Sequence, residues 1–418
     1  MNRQIVRDCL FIGATAFIFR AAILGLWGYF YPNVHLIGDC EVHIRWAESL
    51  VRGHGFQSGA ETLARRVPVY SIFLALFIKT HLFPWGVWIA QVVLGTASVL
   101  LLYFLTKDFF GAGAACVAAS FFSTDYLLSK QCVYALPETL GIFFLILSIY
   151  FLKKSTDTLR FKFFVLLGLS TALCALTKES FSYYFFMLAV VEGLRHLRSK
   201  KGLRGVIAFF VTFILLISVW VVRNKIHDKR VFLTDTSGLT LYLGNNPTVR
   251  PGLYGGEWRL GVDTGYPEDP LPGIGEDAVF ADAYYRQKAL AYIFSNPRQT
   301  FLNGLIKGVR LWYPFYSDSS LGIKVLTGVP YVLIMLGALA GIYQSRGQWP
   351  DFLWFYLLIL YLTGIHALTV SAIRYRYPLM PFLMMMAGYG FHEIWLKVDP
   401  EKIRMKSIHS SLKGSQDA

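Results

Sequence analysis

Two carboxylates, Asp39 and Glu41, follow the first long apolar segment of the chain. A carboxylate beside a bilayer is costly unless it is solvated, paired or used, so this pair is predicted to line a water-facing cleft at the membrane surface. A carboxylate in such a cleft can take the proton of an attacking hydroxyl group. Asp39 and Glu41 are therefore the candidate catalytic residues, and Asp39 also fits the N-cap of the helix that follows.

Basic side chains recur at the ends of other apolar segments, where arginine and lysine suit a phosphate group. The candidates for binding such an anion are Arg65, Arg66, Lys178, Arg374 and Arg376. The alternatives are that the arginines snorkel to the interface or belong to an aromatic-basic belt, and that Lys178 neutralises its neighbour Glu179. Their common position on the side of the acidic pair favours an anionic ligand.

A further set of polar residues could contact a sugar ring or an acceptor. Its members are Glu138, Tyr242, Asn245 and Asn246, and the simplest alternative for the asparagines is a turn. Asp39 and His43 share one helix face at i, i+4 spacing and could bind a divalent cation, although a solvated helix face explains the same pattern. A divalent metal therefore stays open, and no other cofactor is expected.

The composition assigns these side chains to a membrane protein. Hydrophobic residues make up 55% of the chain, charged residues only 16%, and the mean hydropathy is +0.47. Such values are typical of a chain with many membrane spans. The net charge of +14 comes from lysines and arginines in short loops between apolar segments, where the positive-inside rule explains them. Nucleic-acid binding is excluded, and the predicted fold class is an all-α polytopic membrane protein.

About eleven apolar segments approach the length needed to cross ~30 Å of hydrocarbon. They lie at 5–31, 67–83, 86–106, 112–128, 132–152, 161–177, 180–194, 205–222, 321–343, 351–371 and 375–396. Basic loops near 153–162 and 195–204 are predicted to be cytoplasmic, together with both termini. One conflict remains, because residues 67–106 must then cross an odd number of times although they look like two segments.

The same orientation places two long connections outside the membrane. The stretch 223–320 is rich in turn-forming residues and predicts an ordered external loop with an interfacial helix, not a separate domain. The predicted division is 1–222 as an N-terminal transmembrane module with its first external loop at 31–66, 223–320 as the external loop, 321–396 as C-terminal membrane helices, and 397–418 as a cytoplasmic tail.

Five short motifs, in this order, resemble those of the GT-C glycosyltransferases, specifically the bacterial family 39 group that includes protein O-mannosyltransferases and lipid A aminoarabinose transferases. They are Asp39-Cys-Glu41 followed by Trp46-Ala47-Glu48, Arg66-Val-Pro-Val-Tyr70, Leu176-Thr-Lys178, the stretch Leu241 to Pro247, and the stretch Arg374 to Pro378. The resemblance spans most of the chain and depends on the order and sidedness of the motifs.

The resemblance implies transfer of a sugar from a polyprenyl-phosphate or dolichyl-phosphate donor to a protein, lipid or glycan acceptor on the external face, with inversion at the anomeric carbon. Asp39 corresponds to the acidic residue that acts as base or positions the acceptor. The family pattern is an adjacent Asp-Glu pair, whereas Cys40 intervenes here, so Glu41 is expected to orient a neighbouring basic group. The expected location is a bacterial plasma membrane, whose lipid is also a partner.

Two other classes of protein share some of these features. A transporter or lipid flippase also places charged residues among many spans, but it holds them near the bilayer midplane and often in repeated halves. This chain has no visible repeat, and its polar residues collect at one surface. A polymerase or ligase of surface polysaccharide shares the donor chemistry, and the sequence leaves that alternative open.

Overall fold

The structure is a computed structural model that describes residues 3–31, 33, 36, 39–56, 66–199, 202–228, 231–234, 236–247, 249, 278–315 and 320–398. Within those ranges every regular element is helical, which confirms the all-α fold class. The α-helices are α1 (Arg3–Phe30), α2 (Asp39–Val51), α3 (Pro68–Lys79), α4 (Trp85–Phe110), α5 (Ala112–Thr124), α6 (Tyr126–Lys130), α7 (Glu138–Thr158), α8 (Phe161–Thr177), α9 (Ser182–Ser199), α10 (Leu203–Asp228), α11 (Ser237–Gly244), α12 (Ala278–Ser295), α13 (Pro297–Leu311), α14 (Leu321–Gln344), α15 (Leu353–Leu368) and α16 (Met380–Val398).

Short 3₁₀ segments connect several of these helices: Gln131–Val133, Glu179–Phe181, Arg346–Phe352 and Ile373–Leu379. Six helical stretches among the described residues are long and apolar enough to cross a membrane. They are Arg3–Phe30, Trp85–Phe110, Glu138–Thr158, Leu203–His227, Leu321–Gln344 and Arg346–Leu368. Three more apolar helices, α3, α5 and α8, are shorter. The predicted number of about eleven spans is therefore not confirmed.

The short helix α3 explains the conflict in the predicted topology. It has 12 residues, so its length is about 18 Å, well below the thickness of the hydrocarbon layer. Val67 is extended and Pro68 occupies the first turn, where a missing N–H costs nothing. Helix α4 has 26 residues. Of the two apolar segments in 67–106, only the second is therefore long enough to span.

One cluster of buried apolar side chains joins the beginning of the bundle to its end. It includes Ile12 of α1, Leu102 of α4, Leu145 of α7 and Phe382 of α16. Helix α16 packs against both α5 and α14. The predicted N-terminal module and the C-terminal membrane helices therefore share a single core.

The two ends of the bundle carry different side chains. At one end Lys154, near the end of α7, pairs with Asp108 of α4, with 2.7 Å between Nζ and Oδ2. At the other end lie the first residues of α2 and α7, the residues before α3, and the residues that follow α8 and α15. This second end holds the acidic pair that the sequence singled out.

A buried arginine ties α1 to α5 between those ends. The Arg20 guanidinium is almost fully buried and donates to the carbonyls of Phe122 and Ser123 at 3.2 and 3.4 Å. These carbonyls belong to the last turn of α5, where a cation is favoured by the helix dipole. Arg20 thus stabilises a helix end, although an ionisable residue within a membrane helix is by default a functional candidate.

We predict that Gly390→Ala destabilises the contact between α14 and α16. A Cβ at position 390 would lie 2.2 Å from the Gly337 carbonyl and 2.7 Å from the Gly341 nitrogen, so one backbone must move. Overpacking of this kind costs about 1–3 kcal/mol, and the midpoint of thermal unfolding in detergent should fall. Gly364→Ala is the matched control, because no atom lies within 4 Å of its added Cβ. Equal midpoints for both variants would contradict the predicted close contact.

Candidate active site

An ion pair between Asp39 and Arg374 lies at the centre of the candidate site. Asp39 is the first residue of α2, and Arg374 lies in the 3₁₀ segment after α15. The Arg374 guanidinium donates to the Asp39 carboxylate with 2.7 Å between Nη2 and Oδ2. The Asp39 side chain remains 38% exposed, so the pair is open to a ligand. Residues 335 positions apart therefore meet at one place.

Arg66 joins this pair to a second carboxylate. Its Nη1 donates to Glu179 Oε1 at 3.0 Å, and its Nη2 lies 3.9 Å from Asp39 Oδ1. Pro68 follows closely and favours the extended backbone at Val67 that leads into α3. Arg66 thus lies between two acids on different helices.

Lys178 forms a third link with Glu138, the first residue of α7. The Lys178 ammonium donates to Glu138 Oε1 at 3.0 Å, and both side chains are largely buried. Lys178 has extended backbone angles, φ −146° and ψ 113°. Neighbouring side chains on extended backbone point to opposite sides. Lys178 and Glu179 therefore bind different partners and do not neutralise each other.

Together these residues form a charge cluster of three acids and three bases: Asp39, Glu138, Glu179, Arg66, Lys178 and Arg374. The Tyr375 ring connects its parts, since the Lys178 nitrogen and the Arg374 Cζ lie 5.9 and 5.3 Å from the ring centre. The Tyr375 ring also stacks on His366, with 4.3 Å between the ring centres. The cluster is balanced in charge, so an anion that enters it must compete with a carboxylate for a cation.

The electrostatic surroundings keep Asp39 ionised. Burial acts to raise the pKa of the Asp39 carboxyl, but the charges of Arg374 and Arg66 outweigh it and hold the pKa below its ordinary value. Burial likewise acts to raise the pKa of Glu179, and Arg66 more than offsets it. Both carboxylates are therefore charged at neutral pH, and Asp39 is a weak base while Arg374 remains bound to it.

His43 lies behind Asp39, one turn further along α2. It is 5% exposed and packs edge-on against Tyr70 with 5.2 Å between the rings. Burial, assisted by the charge of Arg66, lowers its pKa from 6.5 to about 4. The imidazole is therefore neutral at physiological pH. Its Nδ1 is buried and has no hydrogen-bond partner among the described residues.

Several residues predicted for the site have other contacts. Glu41 is 54% exposed and pairs with Arg45 on its own helix. Arg376 is buried and donates to the carbonyls of Leu311 and Tyr313 at the end of α13. The structure therefore directs Arg374 to Asp39 but turns Arg376 towards α13, although the two arginines are only two residues apart.

The predicted sugar-binding residues of α11 and its end are directed into the protein. Asn245 and Asn246 are buried, and their side-chain amides donate to main-chain carbonyls, including Leu368 at 2.7 Å. The Tyr242 ring packs against Tyr285 at 5.3 Å. A role for them in sugar binding stays a prediction. Arg65 lies outside the described residues.

The two predicted metal ligands, Asp39 and His43, lie in or next to the charge cluster. Asp39 already shares its two oxygens with Arg374 and Arg66, and His43 is buried. Among the described residues, no three or more His, Cys, Asp or Glu side chains form a group that could hold a metal. These residues give no sign of the excess negative charge that a divalent cation needs, and the metal stays a prediction.

The chain is similar to known proteins in both sequence and fold. Residues 65–221 match the model of the family described as dolichyl-phosphate-mannose-protein mannosyltransferase. The whole bundle is similar to the oligosaccharyltransferase of Archaeoglobus fulgidus in its apo form, with a TM-score of 0.56, 13% identity and 96% of this chain covered. The chain has the GT-C fold. The shared fold and the family match agree with the resemblance of the motifs, and the chain is an integral membrane protein with several apolar helices.

Two further structures of that archaeal enzyme are similar to this chain. One is tethered to an acceptor peptide containing the NVT sequon, with a TM-score of 0.55, 12% identity, and 93% of this chain and 50% of that chain covered. The other, in complex with an inhibitory peptide and a dolichol-phosphate, has a TM-score of 0.52, 12% identity, and coverages of 96% and 52%. The present chain covers 52% of the apo enzyme as well, so it spans about half the length of these proteins. No curated protein sequence matches it.

We predict that His43 makes the fold sensitive to acid. In the unfolded chain the imidazole binds a proton near its ordinary pKa of 6.5, whereas in the fold it does so only at about 4. Stability is therefore lost as the pH falls from about 6.5 to about 4, and not above that window. The midpoint of thermal unfolding of His43→Asn should fall less over this window than that of the wild type. His54→Asn, at an exposed position, is the control; an unchanged slope in His43→Asn would refute the prediction.

Proposed function

We propose that this protein is a membrane glycosyltransferase that moves a sugar from a polyprenyl-phosphate donor to an acceptor hydroxyl or amide. The main observation in support is the Asp39–Arg374 ion pair, which joins a carboxylate able to act as a base to a cation able to bind a phosphate. The family match over residues 65–221 supports the donor class and includes Arg66, Glu138 and Lys178. A similar archaeal structure has a dolichol-phosphate bound, which agrees with such a donor.

The donor phosphate would bind at the cations of the charge cluster. Arg374 and Arg66 flank Asp39, and Lys178 lies near the same Tyr375 ring. As the bond between the anomeric carbon and the phosphate oxygen breaks, its electron pair goes to the phosphate. Fixed cations in a partly dry site stabilise the charge that develops there.

Asp39 would act as the base towards the acceptor. The acceptor oxygen or nitrogen attacks the anomeric carbon as the phosphate leaves from the opposite side, so the configuration inverts. The proton of the acceptor goes to Asp39, and no group changes its oxidation state. A carboxylate is suited to this step if the acceptor lies within hydrogen-bond distance of it.

The ion pair would couple donor binding to the strength of the base. The pKa of Asp39 is held low by Arg374 and Arg66 against the effect of burial. A phosphate that draws these guanidinium groups towards itself weakens that influence, so the pKa of Asp39 rises and the carboxylate becomes a better base. The base would thus be activated when the donor is in place.

The orientation and the acceptor are also part of the proposal. Lys153 and Lys154 lie near the opposite end of α7 from Glu138, so the positive-inside rule favours the external face for the charge cluster. The membrane in this proposal is a bacterial plasma membrane. The family description and the neighbour with a tethered acceptor peptide favour a protein acceptor over a lipid or a glycan. A polysaccharide polymerase or ligase would use the same donor site with a glycan acceptor.

We predict that Asp39→Asn abolishes most of the transfer activity. An amide cannot take the acceptor proton, and loss of a general base costs about 10²–10⁴-fold in rate. The test supplies purified protein with polyprenyl-phosphate sugars and peptide, lipid or glycan acceptors, and follows release of the lipid phosphate. Asp157→Asn, the same change at an exposed acid near the far end of α7, should turn over like the wild type.

Equal turnover by Asp39→Asn and the wild type would remove Asp39 from the reaction. If the wild type carried lipid or sugar across vesicles without cleaving the donor, the protein would be a transporter or flippase instead. The acceptor that is consumed would separate protein glycosylation from polysaccharide assembly.

We predict that Arg374→Gln both slows the reaction and shifts its pH dependence. Loss of one electrostatic contact to the leaving phosphate lowers kcat/KM by about 10²–10³-fold. Because Arg374 lowers the pKa of Asp39, its removal raises that pKa, and the acid limb of the kcat/KM profile should move to higher pH. Arg346→Gln, at an exposed position, should leave the profile unchanged. An acid limb that stays in place or moves to lower pH would argue against Asp39 as the titrating base.

A further inference from the structure

Lys307 is a buried cation outside the charge cluster. It lies on α13 and is 4% exposed. Its ammonium donates to the carbonyls of Gly244 and Thr369 at 2.8 and 2.9 Å. Burial lowers its pKa from 10.5 to about 8, so it still carries its charge at neutral pH. Burying the charge of a lysine costs free energy unless hydrogen-bond partners stabilise it.

Both partner carbonyls stand at the ends of helices. Gly244 is the last residue of α11, and Thr369 caps the C-terminus of α15. Helix C-termini carry partial negative charge and orphan carbonyls, so one ammonium stabilises two helix ends at once. The approach is very close: a Cβ on Gly244 would lie 2.2 Å from the Thr369 carbonyl oxygen. Only glycine allows α11 to end here.

Other side chains hold the same short stretch of backbone. The Asn245 amide donates to the Leu368 carbonyl at 2.7 Å, and His366 Nδ1 lies 3.0 Å from the Val370 carbonyl. The Ser371 hydroxyl donates to the Lys307 carbonyl at 2.8 Å. Each residue from 368 to 371 thus makes a hydrogen bond that restrains it. We call these four residues the restrained segment.

The restrained segment leads directly to the charge cluster. The 3₁₀ segment Ile373–Leu379 follows it, and Arg374 is the second residue of that segment. The direction of the Arg374 side chain towards Asp39 therefore depends on the backbone that precedes it. A misplacement of about 1 Å by a residue remote from the chemistry can cost about 10²-fold in rate.

We propose that Lys307 is a positioning residue for Arg374: by binding the ends of α11 and α15 together, it sets the restrained segment and thereby the Asp39–Arg374 pair. This inference rests on the proposed function. It also assigns a physical task to the Leu241 to Pro247 motif, because the carbonyl of its middle residue, Gly244, accepts from the same ammonium. The motif would act through the backbone of the restrained segment.

The test is a double-mutant cycle with an exchange measurement. Lys307→Met keeps the volume but removes the charge and the donors, and it should lower kcat/KM of donor cleavage about 10–100-fold. In the Arg374→Gln background the same change should have little further effect, because Lys307 acts through Arg374. Lys288→Met, on the exposed face of α12, is the matched control and should retain wild-type turnover.

Amide hydrogen exchange supplies a readout that does not require activity. In Lys307→Met the peptide that covers residues 368–376 should exchange faster, while exchange in α4 and α7 stays at the wild-type rate. Ser371→Ala, a smaller change in the restrained segment, should accelerate exchange in the same peptide to a lesser degree. If Lys307→Met fails to fold, Ser371→Ala and its double mutant with Arg374→Gln provide the cycle.

Wild-type exchange in 368–376, or losses of Lys307→Met and Arg374→Gln that simply multiply, would overturn the positioning role. If the wild type cleaves no donor, the proposed function fails. The exchange result then still decides whether Lys307 holds the restrained segment, so the two failures can be told apart.

Discussion

Six charged side chains meet at one end of a helical bundle whose interior is apolar. A charge in such surroundings must be neutralised or solvated, and here each acid of the cluster has a basic partner from another element, as in Asp39–Arg374 and Glu138–Lys178. These pairs hold the beginnings of α2 and α7 to the residues that follow α8 and α15. The same neutralisation leaves the cluster balanced, so an anionic ligand must enter by replacing a carboxylate at a guanidinium or ammonium group.

The buried and half-buried cations described here have two different kinds of partner. Arg66, Lys178 and Arg374 bind carboxylates and are grouped at the site. Arg20 and Lys307 instead bind carbonyls at the ends of helices, as Arg376 does. In the proposed mechanism the first group exchanges partners with a substrate, whereas the second group binds helix ends. In the proposal made above, Lys307 of the second group sets the geometry in which Arg374 of the first group acts.

This arrangement connects structure to the proposed chemistry through one residue, Arg374. Its guanidinium lowers the pKa of Asp39 while no donor is bound, and it would stabilise the leaving phosphate once the donor is present. The backbone that carries it is held by α11, α13 and α15, through Asn245, Lys307 and His366. In the proposed mechanism, this ion pair is both the resting state of the site and its means of activation.

Composition and hydropathy were enough to identify an all-α membrane protein, and the order of short motifs was enough to indicate the GT-C fold, because both are carried by residue types along the chain. The candidates Asp39, Arg66, Lys178, Glu138 and Arg374 were also visible in the sequence. The partners of these residues were not, since Lys178 and Glu179 are adjacent yet bind different helices, and Arg374 and Arg376 are two residues apart yet point to different elements. The direction of a side chain depends on the local backbone angles and on helices that are distant in the sequence. The role proposed for Lys307 was also not visible in the sequence. Its partners are main-chain carbonyls, and because every residue has one, no residue type marks such a site.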